Sequence, residues 1–339
     1  ILMSEIIDLN KTYQYLLIVL AFLMPLTVSG ANIIIVIICL IWLLSGNYKA
    51  KFDQIISSKL MVASLIFYFL HLAGMIWTED LEWGFHILHK MWYFLLLWPV
   101  LFTIVNKRYI KFYIYSFLLA ISLTEIVSYL IWFEIIEPFK NATVVNPTPF
   151  MSHISYNPIL ALAIYLVLHE LFFNKKISNY LFAFHTFFAI SMTFNMFITG
   201  GRAGQIVFFL ILGVLIFQVL DKQRIKSLIL ISLIIPTLFI SAYQISDLFR
   251  ARVIISINEI MDYSNPKSES IGLRINFALN SFDIIKKHPL IGVGTGDFPV
   301  EYRRVNLINT PERKTTTNPH NMYTLILVQL GIVGLISML

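Results

Sequence analysis

His320 is the residue of this chain whose surroundings most suggest chemistry. It stands in the stretch TNPHNMYT, after Pro319 and before Asn321, at the start of a long apolar run. A histidine can act as a general base near neutral pH. Either Pro-His-Asn simply starts a helix, with Asn318 as the expected cap, or the imidazole is held at a surface to move a proton.

Three cations could act together with such a base. The first is Arg202, which opens an apolar run in FITGGRAGQIVFFL, where three glycines leave room for another helix or a ligand headgroup. The alternative is an arginine that extends to lipid phosphates at a membrane interface. Because charged residues in or beside apolar spans are costly, those that persist often mark a site.

Arg274 and Lys90 are the other two cations. Arg274 lies in the first turn of a predicted helix, where a cation opposes the helix dipole and needs an anionic partner. That partner is either an anionic ligand or one of two carboxylates, Glu269 and Asp283. Lys90 opens an apolar run one helical turn after His86, on the same face. The alternative for Lys90 is again a side chain that extends to the membrane surface.

The elements that carry these residues are expected to cross a membrane. Hydrophobic residues make up 58% of the 339 residues and charged residues only 13%, against about 25% in soluble domains. Apolar runs near the roughly 20 residues needed to cross a bilayer recur along the chain. The sequence therefore predicts an all-α, polytopic helical membrane protein, and the net charge of +6 does not indicate nucleic-acid binding. The single cysteine, Cys39, excludes a disulfide framework.

The apolar runs predict about ten spans. They lie near residues 13–30, 31–46, 59–78, 90–105, 112–136, 157–173, 180–199, 202–220, 227–243 and 320–339. Clusters of Lys and Arg follow the second, fourth, sixth and eighth spans, which predicts that these ends and the N-terminus are cytoplasmic. The clusters are Lys49, Lys51 and Lys59; Lys107, Arg108 and Lys111; Lys175 and Lys176; and Lys222, Arg224 and Lys226. The four candidate site residues then all fall on the outer side.

The predicted organisation has three parts. Residues 1–243 form a transmembrane bundle of about nine spans, residues 244–319 form one large, partly helical outer loop, and residues 320–339 form a further span. Apolar residues at helical spacing in LRINFALNSFDIIKKHP predict a folded loop helix that ends at His288-Pro289. The alternating glycines of HPLIGVGTGDFP predict a compact loop folded tightly against the membrane. A dinucleotide site is disfavoured there, because no strand precedes the glycines.

Cations together with a neutral base suit one kind of reaction. Arginine binds phosphate oxygens in a bidentate way and stabilises charge as it develops on a departing diphosphate. A histidine can take the proton of the attacking hydroxyl group. The outer segments contain no acidic cluster fit to hold a metal ion, so cationic side chains would have to take its place.

These residues resemble a known family. TGGRAG at the start of a span, GLRINFALNSFDIIKKHPLIGVGTGDF in the outer loop and NPHNMY before the next span are similar to motifs of the O-antigen ligase (WaaL-type) superfamily. That superfamily also includes O-antigen polymerases and protein O-oligosaccharyltransferases. The resemblance implies a GT-C-like glycosyltransferase architecture. One position departs from the family pattern: Asn318 stands where many members have histidine. Since the chain ends inside an apolar run of roughly span length and the family commonly has about twelve spans, we expect further spans beyond residue 339.

The resemblance implies glycosyl transfer on the periplasmic face of the bacterial inner membrane, with no cofactor, nucleotide sugar or metal ion. The donor would be an undecaprenyl-diphosphate-linked glycan and the acceptor, in the ligases, a sugar hydroxyl of lipid A–core. By motif, Arg202 and Arg274 would bind the donor diphosphate. His320 would activate the acceptor hydroxyl, and Asn321 would support it. Lys90 corresponds to a diphosphate-binding residue by position alone.

Other functions stay open at this point. A polymerase or a protein O-oligosaccharyltransferase would use the same kind of donor and differ in its acceptor. A transporter of lipid-linked glycans is a different class, disfavoured because the cations gather at one face and no paired repeat is visible. Because no carboxylate is placed as a nucleophile, we expect a single displacement that inverts the anomeric carbon.

Overall fold

The computed structural model describes residues 8–140, 142–262 and 271–339, and in these ranges the chain is α-helical and has no strand. The described helices are α1 (Leu9–Leu23), α2 (Val28–Leu44), α3 (Tyr48–Ser57), α4 (Lys59–Gly74), α5 (Leu81–Lys90), α6 (Trp98–Ile104), α7 (Ile110–Trp132), α8 (His153–Phe173), α9 (Asn179–Ile198), α10 (Arg202–Leu220), α11 (Arg224–Ile245), α12 (Asp247–Met261), α13 (Ile271–Lys287), α14 (Phe298–Asn309) and α15 (Met322–Met338). A π-helical segment, Tyr93–Leu97, lies between α5 and α6.

Seven helical segments of the described chain are long and apolar enough to cross a membrane, or eight if α2 and α3, bent by 116°, form one span. They are Lys59–Trp77, Leu81–Ile104, Lys107–Trp132, His153–Phe173, Asn179–Ile198, Arg202–Leu220 and Arg224–Ile245. Helices α1 and α15 are apolar but shorter. Each of the ten predicted apolar runs overlaps one of these helices. The protein is therefore a polytopic helical membrane protein, as predicted, and a total of ten spans stays a prediction.

The span that carries Lys90 begins earlier than predicted. Helix α5 starts at Leu81, where the side chain of Asp80 accepts the backbone N–H of Trp83 (2.9 Å). The apolar segment then continues to Ile104. Lys90 is therefore nine residues inside this span, about 13 Å at the rise of a helix, and not at its start. The first turns of α5 contain polar residues, so the hydropathy pattern did not indicate that the span begins there.

The first compact unit comprises residues 1–36 and 106–255. Helix α8 packs against α9 and α10, while α7 packs against α1. Helices α8 and α10 lie close together at Gly204 of α10, where an added Cβ would lie 2.3 Å from Asn157 Cβ of α8. Small residues at such crossings let helix backbones touch. The buried core includes Phe117, Ile121, Tyr156, Leu160, Ile164, Met192, Met196 and Phe208.

The second compact unit comprises residues 37–105 and 256–339. Helix α15 packs against α4 and α13, and α13 packs against α14. One buried cluster lies between α13, α14 and α15, and another between α4, α15 and the segment after α5. The residues of these clusters are Phe277, Ile284, Phe298, Tyr302, Val305, Leu325 and Val328, and Phe67, Met91 and Ile326.

Helix α15 is interrupted at Gly331, whose φ of 61° and ψ of −156° are not helical. The glycine-rich loop before α14 fills the break. The N–H of Val293 donates to the carbonyl of Val328 (2.9 Å), and the N–H of Ile332 donates to the carbonyl of Pro289 (2.9 Å). Two further backbone hydrogen bonds between the loop and α15 lie beside these two. Loop and helix therefore satisfy each other's backbone groups.

The alternating glycines of this loop make that contact possible. Gly292 has a φ of +67°, and an added Cβ would lie 2.4 Å from the backbone carbonyl of Gln329. A Cβ on Gly296 would lie 2.1 Å from the carbonyl oxygen of Asp80. The loop is compact, as predicted, and its close contacts are with the backbones of α15 and of the segment that leads into α5. Its position against the membrane stays a prediction.

Helix α13 confirms the predicted loop helix, since it covers Ile271–Lys287 and ends before His288. Its apolar stripe is not its buried face, however. Leu279 and Phe282 are 53% and 54% exposed, whereas Asn280 is 2% exposed. The buried side of α13 is therefore partly polar, and hydrogen bonds must stabilise it.

Candidate functional site

His320 does not lie in a helix. Its backbone is in the left-handed region, with φ 57°, where few residues other than glycine are found. Its N–H donates to Asn318 Oδ1 (2.7 Å), while Asn321 Oδ1 accepts the N–H of Thr324 (3.2 Å) and caps α15, which begins at Met322. The prediction that Asn318 caps this helix and His320 occupies its first turn is wrong, because the left-handed turn moves the cap to Asn321.

The left-handed turn presents the imidazole of His320 at the surface of its unit. The ring stacks on the ring of Phe277 in α13, with centroids 6.0 Å apart and planes 26° apart. Phe277 itself is 7% exposed and belongs to the core. A residue in a sparsely populated backbone region persists only where its surroundings hold it. The imidazole is thus exposed, yet oriented by a fixed neighbour.

Arg274 lies in the first turn of α13, the helix on which His320 stacks, and its side chain is exposed. Two carboxylates were expected to compete for it. Glu269 lies outside the described residues, and Asp283 pairs with Lys286 instead (3.4 Å). Within the described part of the chain Arg274 forms no ion pair. An anionic ligand is the partner that this position still predicts.

A polar cluster beneath α13 supports this arrangement. Asn280 Nδ2 lies 3.2 Å from the Tyr302 hydroxyl and 3.0 Å from Thr310 Oγ1. Asn306 Nδ2 donates to the carbonyl of Arg313 (3.0 Å). Burial raises the pKa of the Tyr302 phenol, and the Asn280 hydrogen bond opposes that rise. These bonds satisfy the polar side of α13 and keep Phe277 in place under His320.

The segment GTGD joins the loop to α4, α5 and α15. Asp297 is buried, and its carboxylate accepts the backbone N–H groups of Glu79 and of the residue after it, at 2.9 and 2.8 Å. Thr295 Oγ1 donates to the carbonyl of His71 in α4 (2.7 Å). Gln329 Nε2 of α15 donates to the carbonyl of Thr295 (2.5 Å). Three helices of the second unit are therefore connected through this one segment.

Lys90 lines a cleft of about 580 Å³ in the second unit. The walls come from α4, from the segment between α5 and α6, and from α15. They include Asn318 and Met322, which flank the turn that holds His320 in the sequence. The structure thus places Lys90 on the same cleft as the segment around His320. A cation inside a span is costly, and its place on a cleft favours a ligand-binding role.

Arg202 lies in the first unit and begins α10, as predicted. Two asparagines hold the glycine turn before it. Asn157 Nδ2 donates to the carbonyl of Gly201 (3.2 Å), and Asn157 Oδ1 accepts a threonine hydroxyl (2.7 Å). Asn146 Oδ1 accepts the N–H of Gly200 (2.9 Å). The position of Arg202 is therefore set by side chains that lie far away in the sequence.

A second arginine, Arg252 of α12, lies beside the same turn. A Cβ on Gly200 would lie 3.6 Å from Arg252 Nη2, and a Cβ on Gly201 would lie 2.4 Å from the carbonyl oxygen of His153. Arg252, in the stretch FRARVIIS, was not predicted to be a site residue, because an arginine in a polar loop helix is ordinary. The crowding explains why glycines stand at both positions of the turn.

These groups define what each unit can do chemically. The second unit offers an exposed imidazole, a lysine in a cleft and an arginine on the helix that supports the imidazole. The first unit offers two arginines at a glycine turn. Arginine and lysine bind phosphate oxygens, and a histidine accepts a proton. Across the described ranges, no group of three or more His, Cys, Asp or Glu side chains is placed to hold a metal ion.

Several polar residues that the structure places at these sites were not predicted from the sequence. His71, Asn157 and Gln329 each lie within an apolar run: LIFYFLHLAG, ISYNPILALAI and LILVQLGIVGL. A polar side chain inside a predicted span is itself a signal of a site or of a fixed contact. That signal was available in the sequence for all three residues.

The fold defines the class: this is a helical protein that passes several times through a membrane. Residues 187–339, which include Arg202, Arg274 and His320 but not Lys90, match the family described as O-antigen ligase. This match supports a relationship to the O-antigen ligase/polymerase superfamily, whose members are glycosyltransferase-like enzymes with polysaccharide or lipid-linked substrates. The resemblance of its motifs is thereby confirmed. No curated protein matches the sequence.

Proposed function

We propose that the protein is an O-antigen ligase. It transfers a polysaccharide from an undecaprenyl-diphosphate donor to a sugar hydroxyl of lipid A–core. The observation that carries this proposal is the left-handed turn that presents the His320 imidazole, stacked on α13, within the part of the chain that matches the family. Backbone strain held by its surroundings is characteristic of functional residues.

In this mechanism His320 acts as the general base. Its imidazole takes the proton of the acceptor hydroxyl while the hydroxyl oxygen bonds to the anomeric carbon of the donor sugar. The bond from that carbon to the diphosphate oxygen breaks in the same step, so the anomeric configuration inverts. Undecaprenyl diphosphate leaves as an anion, whose charge is stabilised by Arg202, Arg274 and Lys90. Asn321 supports His320 by capping α15.

The basic clusters support a topology with a cytoplasmic N-terminus and a site at the periplasmic face of the inner membrane. They lie in the connections between α2 and α4, α6 and α7, α8 and α9, and α10 and α11, or in the first turn of the helix that follows. Positive residues concentrate on the cytoplasmic side of a membrane protein. The connections that precede Arg202 and His320 alternate with these basic ones along the chain.

Arg202→Ala and Arg274→Ala are each expected to lower the transfer rate by about 100-fold and to weaken donor binding as well. The reason is that each arginine would bind the diphosphate in the bound donor and more strongly in the transition state, where its charge grows. Donor affinity and single-turnover rate, measured on purified protein, check this.

Arg108→Ala is the matched control, because Arg108 is exposed and lies in a basic cluster on the predicted cytoplasmic side. It should bind and transfer like the wild type. Donor binding that is unchanged in both Arg202→Ala and Arg274→Ala would contradict their place at the diphosphate.

Lipopolysaccharide from a strain that lacks the gene tests the function itself. A ligase predicts the loss of all long chains, with polymeric donor accumulating, because chains are made but not attached. The second candidate, an O-antigen polymerase of the same superfamily, predicts lipopolysaccharide that carries a single repeat unit. An unchanged profile would count against both.

A further inference from the structure

The cleft lined by Lys90 extends along α4 from Leu60 to His71. These positions are eleven residues apart, about 16 Å at the rise of a helix. Towards the Leu60 end the walls include Trp98, whose ring lies 4.9 Å from that of Phe94, and the carbonyl of Phe94 accepts the hydroxyl of Ser64, one turn after Leu60. An elongated apolar space of this kind suits a hydrocarbon chain.

Lys90 lies between the two ends of this cleft. Its neighbour Met91 belongs to one buried cluster with Phe67 of α4. Phe67 lies two helical turns after Leu60 and one turn before His71. A lysine at this level can bind a phosphate group that is attached to a chain in the apolar end.

The other end carries three buried polar atoms that have no hydrogen-bond partner in the described part of the chain: His71 Nε2, Trp83 Nε1 and Gln329 Oε1. All three residues line the cleft. His71 is 0% exposed and Gln329 is 1% exposed. Because buried polar atoms are nearly always paired, three unpaired ones in one cleft indicate a ligand that pairs with them.

The hydrogen-bonding role of each atom is set by its neighbours. His71 Nδ1 lies 2.9 Å from the carbonyl oxygen of Phe67, which can only accept, so Nδ1 carries the proton and Nε2 is an acceptor. Gln329 Nε2 donates to the carbonyl of Thr295 (2.5 Å), so Oε1 is an acceptor too. Trp83 Nε1–H can only donate. Two acceptors and one donor match hydroxyl groups, which both donate and accept.

We propose that His71, Gln329 and Trp83 form a subsite for the sugar attached directly to the donor diphosphate, an inference that rests on the proposed function. The start of the lipid chain occupies the apolar end, the diphosphate lies at Lys90, and hydroxyls of the first sugar bond to the three atoms. Chain, phosphate and sugar follow one another in the donor in the same order as these groups along the cleft. The subsite makes the enzyme selective for the sugar that begins the glycan.

Short donor analogues test this subsite. Farnesyl diphosphate carries the chain and the diphosphate, and its glucosyl, galactosyl, N-acetylglucosaminyl and N-acetylgalactosaminyl forms each add one sugar. Farnesol is the neutral reference. With the purified chain in lipid nanodiscs, we expect the best sugar-bearing analogue to bind about tenfold more tightly than farnesyl diphosphate, the gain of one or two well-made hydrogen bonds.

Two variants each remove a polar group of the subsite, and the leucine variant also removes the Nε2 bond to the carbonyl of Thr295. Trp83→Phe keeps an aromatic ring and removes the donor, and Gln329→Leu removes an acceptor. Each should reduce the sugar advantage to about twofold or less, while the affinity for farnesyl diphosphate stays the same. Trp98→Phe is the matched control, because it makes the same substitution at the apolar end, and it should keep the full sugar advantage.

The subsite is overturned if farnesyl diphosphate binds but no sugar improves its affinity, or if the advantage survives in both variants. Failure of the proposed function looks different. If farnesyl diphosphate binds no better than farnesol, the polyprenyl-diphosphate donor is excluded, and the subsite is excluded with it.

Discussion

Replacing His320 with asparagine is expected to lower glycan transfer by about three orders of magnitude while the donor still binds. General-base catalysis contributes roughly 10²- to 10⁴-fold, and an amide cannot take the proton of the acceptor. Asparagine also tolerates the left-handed backbone at this position, so the loss reports chemistry and not strain. Transfer from purified donor to lipid A–core, with donor affinity measured in parallel, checks this result.

Two further variants separate the causes. His320→Ala should lose the same activity and also lose about 1 kcal/mol of stability, because alanine is strained in a left-handed backbone. His89→Ala, at an exposed position of α5, should transfer like the wild type. A transfer rate equal to that of the wild type in either His320 variant would show that His320 is not the general base.

Gly204→Ala is expected to destabilise the first unit by about 3 kcal/mol, at the upper end of overpacking costs. The new Cβ would lie 2.3 Å from Asn157 Cβ and 2.5 Å from the backbone nitrogen of Pro158. Backbone atoms cannot move aside as a flexible side chain can, so α8 and α10 must separate. Because Arg202 lies two residues before Gly204, transfer should fall together with thermal stability in one detergent.

Gly213→Ala provides the control within the same helix. The nearest atoms to its added Cβ are Ile231 Cδ1 and Ile235 Cδ1, both 3.9 Å away. Alanine favours a helix over glycine by about 0.5–1 kcal/mol, so this variant should be as stable as the wild type or slightly more stable. Equal stability of the two alanine variants would disprove the close contact at Gly204.

Elements with strong local signals were predictable from the sequence. Helix α10 begins at Arg202, directly after two glycines, and α13 ends just before His288-Pro289, as proline requires. The match to the family confirms the recognition of the motifs around Arg202, Arg274 and His320. The chemical roles of those residues stay predictions.

Features that depend on contacts between distant segments were not predictable. The buried side of α13 is partly polar because Asn280 bonds to Tyr302 and Thr310, residues that its own helical pattern does not contain. Likewise, hydropathy alone placed the start of the span at Lys90, whereas a side-chain cap starts α5 at Leu81. The left-handed turn at His320 has no periodic pattern in the sequence. Because a histidine can adopt this backbone conformation, no glycine is present to indicate the turn.

The break in α15 has a consequence for how the protein is assembled. Four backbone groups of α15 on either side of Gly331 are bonded to the loop at residues 289–294 and not to their own helix. Unpaired backbone groups in hydrocarbon cost several kcal/mol each. If α15 crosses the membrane as predicted, we therefore expect it to enter the bilayer as an uninterrupted helix and to acquire its break when the earlier loop docks. On this view the final shape of α15, and with it one wall of the cleft, forms after insertion, and we expect protein whose loop has not docked to lack the complete cleft.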